Sequence, residues 1–226
     1  MAGNQKTMHI KRHLMLYLLA MMAFVARPSW ADLIYFNGWT HQKLSLFSSN
    51  DYMANANEVL VSSNGTVSMI WSAIPDKDQF AQRASWTWQV SSSVPPTDLT
   101  IKGGDDRNLA LYFVFGNAKD ASILKQKSLP ELLGNKSIKV LMYVFGGAHK
   151  HGDFLPTPYL GEQGKTIILR PSGLGRFKES VNLADDFSTA FGSSITTLIG
   201  LALSADSDDT KSKIRASVSD LELHRP

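Results

Sequence analysis

Two short polar runs concentrate the side chains able to do chemistry. Lys-Gly-Gly-Asp-Asp-Arg-Asn occupies 102–108 and Ser-Ala-Asp-Ser-Asp-Asp-Thr occupies 204–210. Each sits beside a strongly apolar segment. Three chemistries suit such carboxylates. Calcium takes six to eight oxygen ligands, commonly carboxylates with backbone carbonyls. Asp206, Asp208 and Asp209 are the candidate ligands, with Asp105, Asp106 or Asp220 as distant partners. The run is not an EF-hand: counting from Asp206, position six is Lys211 rather than Gly, and position twelve is Ser217 rather than Glu. Two carboxylates facing each other across a groove, roughly 5–10 Å apart, would instead suit glycoside chemistry. Asp and Asn also cap turns with no ligand at all.

Other motifs carry less. His149 and His151 precede Asp153, and His-x-His-x-Asp opens the zinc signature of metallo-β-lactamases. Phe154 stands where that signature needs its next His, so the run reads as an exposed polar loop. Gly161-Glu-Gln-Gly-Lys-Thr166 resembles a phosphate loop, but only two residues separate its glycines where four are needed. Trp86 and Trp88 are two apart in an alternating segment and therefore point the same way. They share either burial in the core or exposure as a platform on which sugar rings stack. Trp86, Trp88, Asp105 and Asp106 are the candidate ligand-binding residues.

The segments around these residues read mostly as strands. Residues 84–90 alternate, with Trp86, Trp88 and Val90 on one face and Ser85, Thr87 and Gln89 on the other. Residues 109–115 and 138–145 are apolar at nearly every position, as befits central strands covered on both faces. Further strands are predicted at 58–62, 67–71, 165–170, 198–204 and 214–223. Asn64-Gly65 suggests a hairpin turn at 62–67. Two short helices are predicted. One spans 128–134, with Ser128 as N-cap, Glu131 as its capping-box partner and Gly134 as its stop. The other spans 185–192, with Phe187 and Phe191 on one face. Many strands and few helices give a mainly β fold, an antiparallel β-sandwich of jelly-roll type.

The 226 residues divide unequally. Residues 14–26 are an apolar run too short to span a bilayer, preceded by Lys6, Lys11 and Arg12 and followed by Ser29-Trp-Ala31. Residues 1–31 are therefore expected to be a signal peptide, and 32–226 a single β-sandwich domain in the periplasm or outside the cell. The leader carries four of the 23 basic side chains and none of the 20 acidic ones. The remainder is nearly neutral, which argues against a nucleic-acid partner. No membrane span is expected after cleavage. There is no cysteine, so disulfides, thiolate zinc sites and a lipid-bearing cysteine are excluded. A domain of this length buries enough core to do without staples.

Across about residues 80–223, five motifs occur in order. They are the Trp-x-Trp strand at 86–88, the Lys-Gly-Gly-Asp-Asp turn leading into 109–115, the short helix ending Phe191-Gly192, the Asp-Ser-Asp-Asp-Thr turn at 206–210, and the last strand. This order resembles the bacterial domain of unknown function number 3047. The family often has Glu-x-Arg-Asn before the short helix; here Glu179 and Asn182 are kept and Val181 replaces the Arg. The resemblance implies an exported β-sandwich and no known activity. The expected function is a non-catalytic binding module for a carbohydrate or another envelope component, with calcium as a structural ion. The alternatives are a polysaccharide hydrolase or lyase using paired carboxylates, and an envelope structural or assembly partner.

Overall fold

Strict alternation builds an interior strand of one sheet. In β6 (Arg83–Ser92), Trp86, Trp88 and Val90 turn inward, and Thr87 and Gln89 turn out. The computed structural model describes residues 30–45, 48–117 and 134–226. Within it Ala31–Arg225 forms one compact unit. The remaining strands are β1 (Ala31–Leu33), β2 (Thr40–Lys43), β3 (Asp51–Ala54), β4 (Glu58–Asn64), β5 (Val67–Ala73), β7 (Arg107–Gly116), β8 (Lys139–Phe145), β9 (Phe154–Thr157), β10 (Gly161–Arg170), β11 (Gly175–Asn182), β12 (Thr197–Asp206) and β13 (Lys213–His224). They form two sheets. One runs β11-β6-β13-β4-β3, with β1 also paired to β13, and the other runs β2-β5-β12-β7-β8-β10-β9. The fold is a mainly β sandwich, as expected. The pairing is antiparallel throughout except between β8 and β10, which run parallel.

The inner faces of the two sheets make the main core. Trp86 and Trp88 are fully buried, their rings edge to face at 5.4 Å, and Trp86 also meets Tyr143 at 5.7 Å. A ligand-stacking role for these two tryptophans is thereby corrected. Their apolar area is worth more between the sheets, and truncating either to Ala would cost about 3–5 kcal/mol. Trp88 Nε1 donates to Glu179 Oε1 at 2.9 Å, and Arg170 holds the same carboxylate through Nε and Nη2. A buried indole N–H thus finds its acceptor on the neighbouring strand.

Residues 62–67 do not make a hairpin. Gly65 takes the positive φ of 62° that Asn-Gly favours, but β4 pairs with β3 and β13 while β5 pairs with β2 and β12. The turn is an arch carrying the chain from one sheet to the other. The helix expected at 128–134 falls, but for Gly134, outside the described residues. The second helix, α1 (Leu183–Phe191), is capped by Asn182, whose side chain accepts from Ala184 N and Asp185 N. Gly192 ends it in the left-handed region at φ 66°. Phe187 and Phe191 meet edge to face, 4.8 Å apart, on its inner face. Among the described residues, no helix is long and apolar enough to cross a membrane.

Candidate functional site

β7 is buried along its whole length because both of its faces are covered. Leu109, Leu111, Phe113 and Phe115 enter the main core. Ala110, Tyr112 and Val114 face the other way and join Met69, Val140, Met142 and Ala202 in a second apolar cluster on the outer face of the seven-stranded sheet. A cavity of about 440 Å³ opens on this outer face. Its walls are largely these apolar side chains, and one end is polar.

The polar end is where the two acidic runs meet. β7 and β12 pair antiparallel, so the start of one lies beside the end of the other, and Asp206 pairs with Arg107. Strict alternation from Leu109 would turn Arg107 into the main core. The register shifts between Ser204 and Asp206, so that Asn108 and Leu109 together oppose Ala205. This β-bulge turns Arg107 outward into the cavity. Gly146 makes the approach possible: a Cβ there would lie 2.7 Å from Arg107 Cβ and 2.8 Å from its Cα.

Arg107 Nη1 lies 3.0 Å from Asp105 Oδ2 and 3.3 Å from Asp206 Oδ2. Its Nη2 donates to the Tyr112 hydroxyl at 3.1 Å, which in turn shares a hydrogen bond with Ser204 Oγ at 2.9 Å. Asp105 Oδ1 also accepts from the Tyr159 hydroxyl at 3.4 Å, and Lys102 Nζ sits 5.3 Å from the centre of that ring. Burial pushes the Asp206 carboxyl up to about 8, and the negative charges of Asp208 and Asp106 act in the same direction. Arg107 opposes this, but desolvation outweighs one guanidinium. Asp209 is raised as well, by burial first and then by Asp106 and Asp208.

Asp106 has a different task. It is fully buried, and its carboxylate accepts from Asp209 N at 3.2 Å, from Thr210 N at 2.7 Å and from the Thr210 hydroxyl. It therefore ties the start of β7 to the β12–β13 turn rather than facing the cavity, which corrects its assignment to ligand binding. Asp106, Asp208 and Asp209 each place one oxygen within 4.8 Å of the others, a spacing able to hold a hard cation. Asp206, expected among the metal ligands, is not in that group. It faces Arg107, whose charge disfavours a cation there.

The structure thus brings Asp105, Asp206, Asp208 and Asp209 to one end of one cavity, sets Asp106 beside them but buried, and places Trp86 and Trp88 in the main core. No motif points to Thr157 and Tyr159, which line the cavity from the end of β9 and from the connection that follows it. Gly164 leaves room for that connection, since a Cβ there would lie 2.7 Å from Thr157 Oγ1. His149 and His151 have separate partners: Leu99 N donates to His149 Nε2 at 3.2 Å, and His151 Nδ1 lies 2.7 Å from the Leu169 carbonyl.

The family model described as "Protein of unknown function (DUF3047)" matches residues 37–222. The chain belongs to this family. No curated protein matches it. Solved structures of similar shape include the loop-swap mutant of Necallimastix patriciarum Xyn11A, at 11% identity and TM-score 0.40, covering 86% of this chain and 99% of that one. A cellulase derived from Cel12A of Rhodothermus marinus is 11% identical at TM-score 0.43, with coverage of 86% and 98%. The xyloglucanase domain of NopAA from Sinorhizobium fredii is 7% identical at TM-score 0.39, with coverage of 87% and 99%.

Proposed function

We propose that this member of the family is an exported, non-catalytic binding protein that takes a small envelope component into the cavity on the outer face of its seven-stranded sheet. The observation that carries this reading is the cavity itself. It is concave, mostly apolar, and has a few convergent polar groups at one end, which is how small-molecule sites are built. Calcium is left out of the reading. Asp106 is already committed to the turn, and Asp206 to Arg107, which leaves Asp208 and Asp209.

The test is non-denaturing mass spectrometry of protein purified from its own cells, beside Ala202→Phe. Ala202 lines the cavity and is buried. A stoichiometric small-molecule adduct present in the wild type and absent from a folded Ala202→Phe supports the reading. Equal adduct in both, or none in either, overturns it.

The second reading is a hydrolase. It is favoured by one feature, a carboxyl raised to about 8 at Asp206 beside Asp105, which is held by Arg107. A carboxyl that keeps its proton near neutral pH suits a general acid. Against it, Arg107 bridges the two carboxylates, the place where a scissile bond would have to lie. Release of reducing ends from soluble polysaccharides, abolished in Asp206→Asn, would replace the binding reading with this one.

A further inference from the structure

The floor of the cavity follows a diagonal across the seven-stranded sheet. Asp206 is level with Val67 on one side and with Arg107 on the other. Further along, Ala202 is level with Tyr112, and Tyr112 with Met142. Beyond them Val114 is level with Val140. β5 lines the cavity only near the Asp206 end, through Val67 and Met69, and β8 only toward the other end, through Met142 and Val140. That diagonal covers about 20 Å along the strands and about 14 Å across them. A volume of about 440 Å³ drawn out along it holds a slender body rather than a round one. Met69, Leu99, Val114, Val140, Met142 and Leu160 make much of the wall, and the two methionines can repack around a chain of varied outline. Tyr112 commits its hydroxyl to Arg107 and Ser204. A sugar laid along this wall would give up water at each hydroxyl and find few partners.

The Asp206 end is acidic. Asp105, Asp206, Asp208 and Asp209 stand there against the one guanidinium of Arg107, which lies at Asp105 and Asp206. Asp208 and Asp209 are half-buried and exposed, and among the described residues neither forms an ion pair. The field around them is negative: burial first, and then Asp106, Asp208 and Asp105, raise the Asp209 carboxyl against the pull of Lys211. A positive group brought there is attracted, and a negative one is repelled. The chain's own cation shows the tendency. Tyr159 donates its hydroxyl to Asp105 Oδ1, its ring is exposed, and Lys102 Nζ lies 5.3 Å from the ring centre.

We propose that the cavity binds a cationic amphiphile with one slender apolar chain, its positive head at Asp208 and Asp209 and its body along Met69, Met142 and Val140. This rests on the binding reading above and names the ligand class for the same site.

The experiment is isothermal titration of the folded protein at pH 7 and low salt with octylamine, octanol and octanoate, and with ethylamine as the head alone. Octylamine should bind one per chain, about fivefold or more tighter than octanol, as one favourable ion pair would give. Octanoate should bind more weakly than octanol. Lengthening the amine by one methylene should tighten binding about fourfold until the cavity is full. At about 1 M salt, where charges are screened beyond roughly 3 Å, the three eight-carbon probes should converge. The double variant Asp208→Asn with Asp209→Asn should bring octylamine down to octanol and leave octanol unchanged, and octanol binding itself shows that the cavity is intact. A folded Ala202→Phe should lose all three. Octanol or octanoate binding as tightly as octylamine overturns the cationic head, as does an amine preference that survives the double variant. Ethylamine binding as tightly as octylamine overturns the apolar body, and full binding to Ala202→Phe overturns the cavity as its place. If no probe binds while the native adduct persists, the ligand class is wrong and the binding reading stands. If the native adduct is also missing, the binding reading has failed and this inference with it.

Discussion

Arg107 and Asp206 face each other across the β7–β12 pair, Nη1 to Oδ2 at 3.3 Å, because a bulge in β7 turns Arg107 out of the main core. One extra residue thus converts the start of a core strand into the polar end of a cavity. The pair is not a simple ion pair. The guanidinium serves Asp105 at the same Nη1, and burial holds Asp206 toward its neutral form.

That protonation has a measurable consequence. The folded-state Asp206 carboxyl is raised from 3.8 to about 8. Between these two values the unfolded chain has released the proton and the folded protein keeps it, so stability falls as pH rises through the window and levels off above it. Asp206→Asn carries no such proton. From pH 5 to pH 8 the wild-type Tm should fall by about 3 °C or more beyond any fall in the variant. Parallel curves would show that Asp206 is ionised across the range.

Gly146 is required by the backbone of its neighbour. In Gly146→Ala the new methyl must displace Arg107 at both Cβ and Cα. Overpacking of this kind costs about 1–3 kcal/mol. Denaturant melts should show that loss without a change in m-value. An unperturbed midpoint would mean that the bulge yields freely.

The carboxylate of Glu179 serves two donors at once, the buried Trp88 indole and the Arg170 guanidinium. Glu179→Ala leaves the indole N–H unpaired in the core and should destabilise by about 2–4 kcal/mol. Glu179→Gln keeps one acceptor and should lose less. Equal losses in the two variants would assign the effect to charge alone.

Asp106 fastens the β12–β13 turn from a distance of 103 and 104 residues in sequence. In Asp106→Ala the amides of Asp209 and Thr210 lose their acceptor. Hydrogen exchange at those two amides should accelerate at least tenfold, consistent with about 1.4 kcal/mol or more of lost protection. Unchanged exchange would show that the turn holds itself.

The sandwich is legible in local residue patterns. Alternation at 84–90 and the unbroken apolar runs at 109–115 and 138–145 are local properties, and a period of two decides strand and face wherever pairing is regular. The Asn182 cap and Gly192 stop of the short helix are likewise local, as is the positive φ at Gly65. What those elements join is set by long-range pairing. Asn64-Gly65 specifies a tight turn, but whether β5 folds back on β4 or crosses to the other sheet depends on the partners β12 and β13, which lie more than a hundred residues away. The direction of Arg107 depends on a bulge, and a bulge exists only relative to a paired strand. The burial of Trp86 and Trp88 required a second sheet to cover them, while the same spacing on an outer face would have made a platform. Thr157 and Tyr159 carry no motif, and they reach the cavity because β9 docks beside β10. Strand identity is written in neighbouring residues, whereas a site on a sheet is written in register, which long-range pairing sets.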